Sequence, residues 1–242
     1  MTTYRKQLRI EHIRLPHKTE NTHITEFVPS APSLEYPTDM IAETKHFNAS
    51  IVNEEIRVIV EEIVSDRQDD LMKYPAAQKI HHAMYVGLAY HTVNMLWLAE
   101  KICELYPSLN RDLLIAGVIL HDLCKIEEYT DEFVSDYSIE GQLIGHVVMI
   151  SNLIQETADR LNIKGEIPVL LQHMVLAHHG KTEWGSPVEP KLMEAEVLHH
   201  IDMLDSRINA MEKALEKAKD HDQFTEPVRA LGRRRLYKPK NL

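Results

Sequence analysis

The chain has 242 residues, of which 44% are hydrophobic and 26% charged, a composition that suits one large soluble domain or one domain with an appendage. Its net charge of −10 argues against a general nucleic-acid coat protein, because Lys and Arg side chains supply most of the non-specific affinity for phosphates. Two cysteines, Cys103 and Cys124, and a longest apolar stretch of only Leu113 to Leu120 exclude a disulfide framework and a membrane span, so we expect a cytoplasmic protein with no membrane partner.

Residues 1–47 predict an extension that is not helical. The segment QLRIEHIRL alternates weakly, like one strand, and the following HKTENTHITEFVPSAPSLEYPTDM has the Pro, Thr and Ser content of a linker. One strand cannot form a sheet alone. It therefore either docks on the rest of the chain or is the remnant of a β domain.

From about Asn53 onward, apolar residues recur every three or four positions, which predicts helix after helix. The first such stripe runs from Ile56 to Val64. Further helices are predicted from after Pro75 to Leu105, either continuous or broken near Gly87, from Leu113 to about Glu128, and over about 139–160, 167–179 and 191–219. Asn110 is the predicted N-cap of the helix that begins near Leu113. We therefore expect an all-α domain over residues 48–242.

The charge is unevenly distributed along the chain. Residues 227–242 contain six basic residues and no acidic one. Since the whole chain has a net charge of −10, residues 1–226 carry a net charge of −16. The basic tail either follows an RNA backbone or is solvated and disordered, and the sequence does not choose between these.

Histidine and aspartate residues recur in apolar helical contexts. A single histidine there is more often a hydrogen-bonded core residue than a metal ligand, but several such positions favour a metal site. The candidate positions are His91, His121, Asp122, His146, His178, His179 and Asp202. Imidazole and carboxylate together suit Mn, Fe, Co, Ni or Zn, with Mn expected first, whereas Mg and Ca favour oxygen ligands alone.

The adjacent pair His121-Asp122 is the expected centre of the chemistry. An aspartate has two oxygens and can bridge two ions, and two ions can activate a water and stabilise a phosphoryl transition state. Lys125 lies three residues after Asp122 on the same helical face, where it either neutralises a substrate phosphate or faces solvent. Asp122 and Lys125 are therefore the predicted catalytic residues.

Other residues carry weaker signals. The pairs His81-His82 and His199-His200 are candidates for orienting metal ligands, with a role in the core or on the surface as the equal alternative. Asp205 could orient a ligand or equally form an ion pair with Arg207. Trp184 either stacks on a nucleobase or anchors its loop. Trp184, Lys125 and Arg207 are the predicted substrate contacts.

The ordered set His91, His121-Asp122 and Asp202 resembles the signature of HD-domain phosphohydrolases. Several segments in order more closely resemble the YhaM-type 3′-to-5′ exoribonucleases of Gram-positive bacteria, from roughly Phe47 to Pro239. These segments are YPAAQKIHHAMYVGLAYHTVNML, DLLIAGVILHDLCKIEEY, EGQLIGHVVM, LAHHGKTEWGSP and EAEVLHHIDMLDSRIN.

The resemblance implies a metal-dependent 3′-to-5′ exoribonuclease that releases nucleoside 5′-monophosphates from single-stranded RNA, with DNA as a further substrate. It implies a first metal held by His91, His121, Asp122 and Asp202, and a second held by Asp122, His146, His178 and His179. Two departures stand out. Cys124 replaces the glycine usual before the lysine, and only the last strand and linker of an N-terminal OB-fold, about Tyr4–Pro32, are recognisable.

Two other functions remain open. A two-metal HD site also suits a phosphohydrolase of cyclic dinucleotides or nucleotides, and a decayed site would suit a nucleotide- or nucleic-acid-binding regulator. Against decay, every candidate ligand is present. Metal identity, the substrate in the cell and the oligomeric state cannot be read from the sequence.

Overall fold

A computed structural model of the chain describes residues 40–71, 73–74, 76, 87–130, 136–219 and 221–239. Within these residues all regular structure is helical and β pairing is limited to isolated bridges, which confirms the predicted all-α fold. The helices are α1 (Met40–Ala49), α2 (Glu54–Ser65), α3 (Gln68–Leu71), α4 (Gly87–Leu105), α5 (Arg111–Leu120), α6 (Lys125–Glu128), α7 (Ile139–Leu143), α8 (His146–Arg160), α9 (Glu166–Ala177) and α10 (Met193–Lys217). Short 3-10 turns lie at Thr182–Trp184 and Arg229–Leu231. Of the helices described, none has both the length and the apolar character that a bilayer-spanning segment needs.

Helix α5 lies at the centre of the helical body. Every residue from Leu113 to Leu120 is buried, because α5 contacts α2, α4, α9 and α10. Burying each large aliphatic side chain contributes about 1.5–3 kcal/mol to the free energy of unfolding. Gly117 permits this close packing: a Cβ there would lie 2.7 Å from Met174 Cε on α9 and 3.2 Å from Leu198 Cδ2 on α10. The buried α5 therefore places the residues that follow it where several helices meet.

Side-chain caps fix the starts of two core helices. Asn110 Oδ1 accepts a hydrogen bond from the Leu113 N–H at 3.1 Å, as the sequence predicts. Asn53 Oδ1 accepts one from the Ile56 N–H at the start of α2, also at 3.1 Å. Each cap satisfies a backbone donor that has no partner within its own helix.

The predicted helix from Leu113 to Glu128 is interrupted. It ends as α5 at Leu120, and residues 121–124 form a turn before α6. Backbone N–H groups in and after this turn bond to carbonyls three residues back, as from Lys125 N to Asp122 O at 3.0 Å. Such turns keep the apolar period close to helical, which is why the pattern did not reveal the break.

The predicted helix over 139–160 is also wrong as a single element. It divides into α7 and α8 at Gly145, whose φ of 78° lies in the left-handed region that favours glycine. Helices α9 and α10 match the predictions over 167–179 and 191–219 to within a few residues. Helix α4 matches the part of its prediction that lies after residue 86.

The predicted basic tail folds onto α10. Isolated antiparallel bridges pair Phe224 with Tyr237 and Val228 with Arg234, and Val228 and Leu231 form a second small core with Ala210 of α10. Solvated disorder is therefore wrong for residues 227–239. We call residues 221–239 the C-terminal module.

The N-terminal predictions mostly concern residues outside the described part. The predicted strand and the OB-fold remnant, about Tyr4–Pro32, fall there, as does His82. Helix α1 begins at Met40, inside the segment predicted to be non-helical, and contacts α4 and α2. Its apolar residues do not form one stripe, so the periodicity of the sequence does not predict this helix.

Candidate metal centre

The structure brings together all seven side chains that the sequence singles out as metal ligands. His91 lies on α4, Asp202 lies on α10 and His146 begins α8. The pair His121-Asp122, called the HD pair below, occupies the turn after α5, and the pair His178-His179 follows α9. The rings of His91, His121 and His178 are completely buried. Residues from five parts of the chain therefore face one interior region.

The Asp122 carboxylate lies between two groups of donor atoms. Its Oδ2 is 3.5 Å from His121 Nε2 and 3.9 Å from His91 Nε2. Its Oδ1 is 3.2 Å from His146 Nε2 and 3.7 Å from His178 Nε2. Each oxygen thus faces a different pair of imidazoles.

Two sets of three donors are close enough for one ion each. His91, His121 and Asp122 form one set, and His146, His178 and His179 form the other, with the donor atoms of each set within 4.8 Å of one another. Asp202 Oδ1 is 3.3 Å from His91 Nε2 and so adjoins the first set. Each set could hold a divalent cation.

Hydrogen bonds on the far side of each ring fix which nitrogen faces the centre. Nδ1 of His121 donates to the Val118 carbonyl at 2.8 Å, and Nδ1 of His178 donates to the Val175 carbonyl at 2.6 Å. A carbonyl can only accept, so Nδ1 carries the proton and a neutral ring directs its Nε2 lone pair inwards. This is the tautomer that a metal ligand requires.

Several buried acceptors in the centre have no hydrogen-bond partner of good geometry among the described residues. They are Nε2 of His121, His146 and His178, Nδ1 of His179, and Oδ1 of Asp122. Buried polar atoms without a partner are costly. Lone pairs facing one another across 3–4 Å would be stabilised by a cation between them, so the donor set fits a metal.

The pKa values of the histidines differ within each set, since the pKa of His91 and of His146 is raised while that of His121 and of His178 is lowered. Burial lowers the pKa of His121 and lowers the pKa of His178 well below the usual range. Burial would do the same to His91, but its contacts with Asp202 and Asp205 outweigh burial and raise the pKa of His91 to about 10. The two carboxylates therefore favour positive charge at the His91 ring.

Lys125 is buried beside the HD pair rather than facing solvent. Its ammonium donates to Asp122 Oδ2 at 2.6 Å and to the Ala76 carbonyl at 2.7 Å. Burial would raise the pKa of Asp122, but the Lys125 charge, with the neighbouring imidazoles, holds the pKa of Asp122 well below its usual range. Asp122 is therefore ionised and positioned by Lys125.

Cys124 packs into the apolar core. Its side chain is buried beside the turn, and burial, reinforced by the Glu127 carboxylate, raises the pKa of the Cys124 thiol to about 12. The thiol is thus protonated at neutral pH and contributes no thiolate to the centre.

Two carboxylates outside the donor sets orient the rings. Asp205 Oδ2 accepts from His91 Nδ1 at 2.6 Å, and Glu128 Oε1 accepts from His146 Nδ1 at 2.9 Å. The sequence indicated an orienting role for Asp205 as one of two alternatives. The other alternative, an ion pair with Arg207, is not formed in the described structure.

The sequence did not indicate Glu128 or Asn94. Asn94 donates to Asp205 Oδ1 at 3.2 Å, and its position three residues after His91 on one helix is a signal that could have been used. Glu128 has no comparable signal, because its partner His146 is 18 residues away.

Trp184 lies next to the centre and is half-exposed. Its ring stacks on His199 with centroids 5.7 Å apart and planes 30° apart, and the Lys181 ammonium lies 4.9 Å from its centroid. His199 Nδ1 donates to the carbonyl of His178 at 2.9 Å. His199 therefore holds the Trp184 ring in place and links it to His178 of the second donor set.

Arg207 is partly buried on α10, and in the described structure it forms no ion pair. Its predicted contact with substrate stays a prediction. His82 lies outside the described residues, so its predicted role is also open.

Comparison with known proteins identifies the family. The family model for the HD domain matches residues 88–207, which contain all seven donor residues. A "3′-5′ exoribonuclease YhaM" from Geobacillus sp. (strain WCH70) is 45% identical over 233 residues, covering 96% of this chain and 71% of the relative. No solved structure matches the chain. On this similarity, the chain belongs to the YhaM-type exoribonuclease family, with an HD domain at its centre.

Proposed function

We propose that this protein is a metal-dependent phosphodiesterase that removes nucleoside 5′-monophosphates from the 3′ end of single-stranded RNA. The observation that carries the proposal is the position of Asp122, whose two oxygens face two different sets of buried histidines. An exoribonuclease relative of 45% identity supports RNA as the substrate. Single-stranded DNA is a second substrate to test.

We propose two divalent transition-metal ions, with Mn²⁺ as the first candidate. One would be held by His91, His121, Asp122 and Asp202, and the other by Asp122, His146, His178 and His179. The mixture of imidazole and carboxylate donors supports such ions over Mg²⁺ or Ca²⁺. When bound, a pair of divalent ions lowers the pKa of a water and neutralises charge on a phosphoryl group.

The chain's own residues would prepare and bind the substrate around these ions. Lys125 keeps Asp122 ionised, and two of its three N–H groups are used by Asp122 Oδ2 and Ala76 O. The third N–H is the donor that we propose for a non-bridging oxygen of the terminal phosphodiester. Lys125 would thus stabilise both the aspartate and the transition-state charge.

We propose that the terminal base stacks on the exposed face of Trp184. Trp184 is 50% exposed, and its ring stacks on His199, which is hydrogen-bonded to His178 O. Stacking on an aromatic ring tolerates any base. This contact would place the terminal nucleotide with its phosphate towards the donor sets.

The test is an assay of purified protein on a 5′-labelled oligoribonucleotide beside a cyclic dinucleotide. We expect nucleoside 5′-monophosphates to be released from the 3′ end, and Asp122→Ala to abolish their release while the helical circular dichroism is retained. Metal analysis of the wild type should give close to two transition-metal ions per chain, and His146→Ala should lose one. Hydrolysis of the cyclic dinucleotide alone would favour the other phosphohydrolase function.

A further inference from the structure

The C-terminal module presents a row of exposed arginines. Arg233, Arg234 and Arg235 are consecutive and exposed, and in the described part of the chain none of them pairs with a carboxylate. Arg234 and Arg235 use Nε to bond to the Leu231 and Thr225 carbonyls. These bonds hold the side chains in place and leave the outer guanidinium nitrogens available.

Two aromatic rings lie exposed beside these arginines. Phe224 is 45% exposed and Tyr237 is 57% exposed, with ring centroids 5.4 Å apart. The Arg235 guanidinium lies 5.9 Å from the Phe224 centroid. Exposed rings interleaved with cations are the combination that binds single-stranded nucleic acid, because bases stack on the rings and phosphates pair with the cations.

The charge distribution selects a polyanion as the partner. Residues 227–242 carry six basic side chains, whereas residues 1–226 carry a net charge of −16. Asp222 and Glu226 also lie in the module, but they do not pair with its arginines. An RNA strand that the acidic body repels elsewhere would therefore be attracted to the module.

The distance between the module and the metal centre suits a short single strand that spans both. Helix α10 carries Asp202, and the module packs on the same helix at Ala210 and Ala214. At 1.5 Å per residue, these points are about 12–18 Å apart along the helix axis. With phosphates about 3.4 Å apart in a stacked strand, this span corresponds to about four to five nucleotides.

We infer that the C-terminal module is a second binding site for single-stranded RNA, which holds the strand upstream of the 3′ end while that end lies in the metal centre. This inference rests on the proposed function, since it assigns the 3′ end to that centre. It predicts that a dinucleotide cannot reach the module, whereas a strand of about ten nucleotides can.

The experiment compares kcat/KM for a 12-nucleotide oligouridylate with that for a uridine dinucleotide, for the full chain and three double variants. The first variant, Arg233→Asn with Arg234→Gln, removes two charges; asparagine suits position 233 because the arginine there has a φ of 64°. The second, Phe224→Leu with Tyr237→Leu, keeps apolar packing but removes the rings. The control, Lys45→Gln with Lys164→Gln, removes two exposed charges outside the module.

We expect the ring variant to lower kcat/KM for the 12-nucleotide strand at least about fivefold. The charge variant should reduce the slope of log kcat/KM against log salt by about 1.4, for two phosphate contacts. Neither variant should change hydrolysis of the dinucleotide, and the control should resemble the wild type on both substrates. Unchanged dinucleotide hydrolysis also shows that a variant is folded.

Three outcomes would overturn the inference. One is a wild-type kcat/KM that does not depend on strand length, and another is a charge variant that behaves like the control. The third is a charge variant that keeps wild-type kinetics and changes only the sedimentation of the protein. That result would mean that the module binds the acidic body of a second copy of the chain. Failure of the wild type to cleave either substrate would instead refute the proposed function.

Discussion

Replacing Glu128 by glutamine should weaken metal binding in the second donor set. Glu128 Oε1 accepts from the Nδ1 of His146 at 2.9 Å and from its backbone N–H at 3.1 Å. Burial alone would raise the pKa of Glu128, but these bonds to His146 outweigh burial and lower it. The carboxylate therefore holds the imidazole in one orientation and makes it a stronger donor.

The size of the effect follows from the charge on this bond. A hydrogen bond to an ionised group contributes about 1.5–3 kcal/mol and a neutral one about 0.5–1.5 kcal/mol. Glu128→Gln keeps the shape but loses the charge, which costs about 1.4 kcal/mol, or tenfold in Kd for one ion. Glu128→Ala loses both bonds, and its Kd should rise up to about 100-fold.

The assay is calorimetric titration of metal-free protein with Mn²⁺, with nuclease activity recorded as a function of Mn²⁺ concentration. Glu127→Gln is the matched control, because Glu127 pairs with Arg67 at 2.6 Å and does not contact His146. We expect the Glu128 variants to need more Mn²⁺ for half-maximal activity, while the control matches the wild type. Equal Mn²⁺ affinity in Glu128→Ala and Glu127→Gln would show that Glu128 does not strengthen His146 as a metal donor.

Three further predictions concern other parts of the molecule. Trp184→Ala should raise KM for oligonucleotides by a factor equivalent to about 1–3 kcal/mol, with Trp184→Phe retaining much of the affinity; steady-state kinetics with unchanged values for both would exclude stacking. Asn110→Ala removes the cap on the Leu113 N–H and should lower the free energy of unfolding by about 0.5–2 kcal/mol, measured by urea denaturation. Burial raises the pKa of Cys124 to about 12, so its thiol stays protonated at pH 8. Iodoacetamide should therefore label the half-buried Cys103 before Cys124 in native protein, as measured by mass spectrometry. Equal labelling of the two cysteines would contradict the burial of Cys124.

Local signals in the sequence were sufficient to predict α5 and its surroundings. An apolar run that is buried on all sides and an asparagine that caps it are both short-range features, and the structure has both. The break after Leu120 was missed because i-to-i−3 bonding preserves the apolar spacing. The break at Gly145 depends on one positive φ, which a glycine permits but does not require.

The candidate centre was predicted to different depths for different residues. Histidine and aspartate types at helical positions indicated a metal site from the residues alone, whereas the division into two sets came from the family resemblance. The role of Glu128 cannot be predicted from the sequence, because its contact with His146 depends on the packing of α7. There a Cβ on Gly141 would lie 2.3 Å from the Glu128 carbonyl oxygen, so only glycine allows that approach.

The ring-orienting hydrogen bonds of His121 and His178 go to carbonyls of the helical turns that precede them. Folding of the buried core therefore already orders these candidate ligands, and the side-chain entropy is lost on folding rather than on metal binding. A divalent ion would then meet donors that are already aligned, whereas in a zinc finger metal binding and folding are one event. Chelation should therefore remove metal without melting the helices, and the same chain should be reloaded with whichever suitable ion is abundant. Metal supply, rather than renewed protein synthesis, would then set how much of the protein is active.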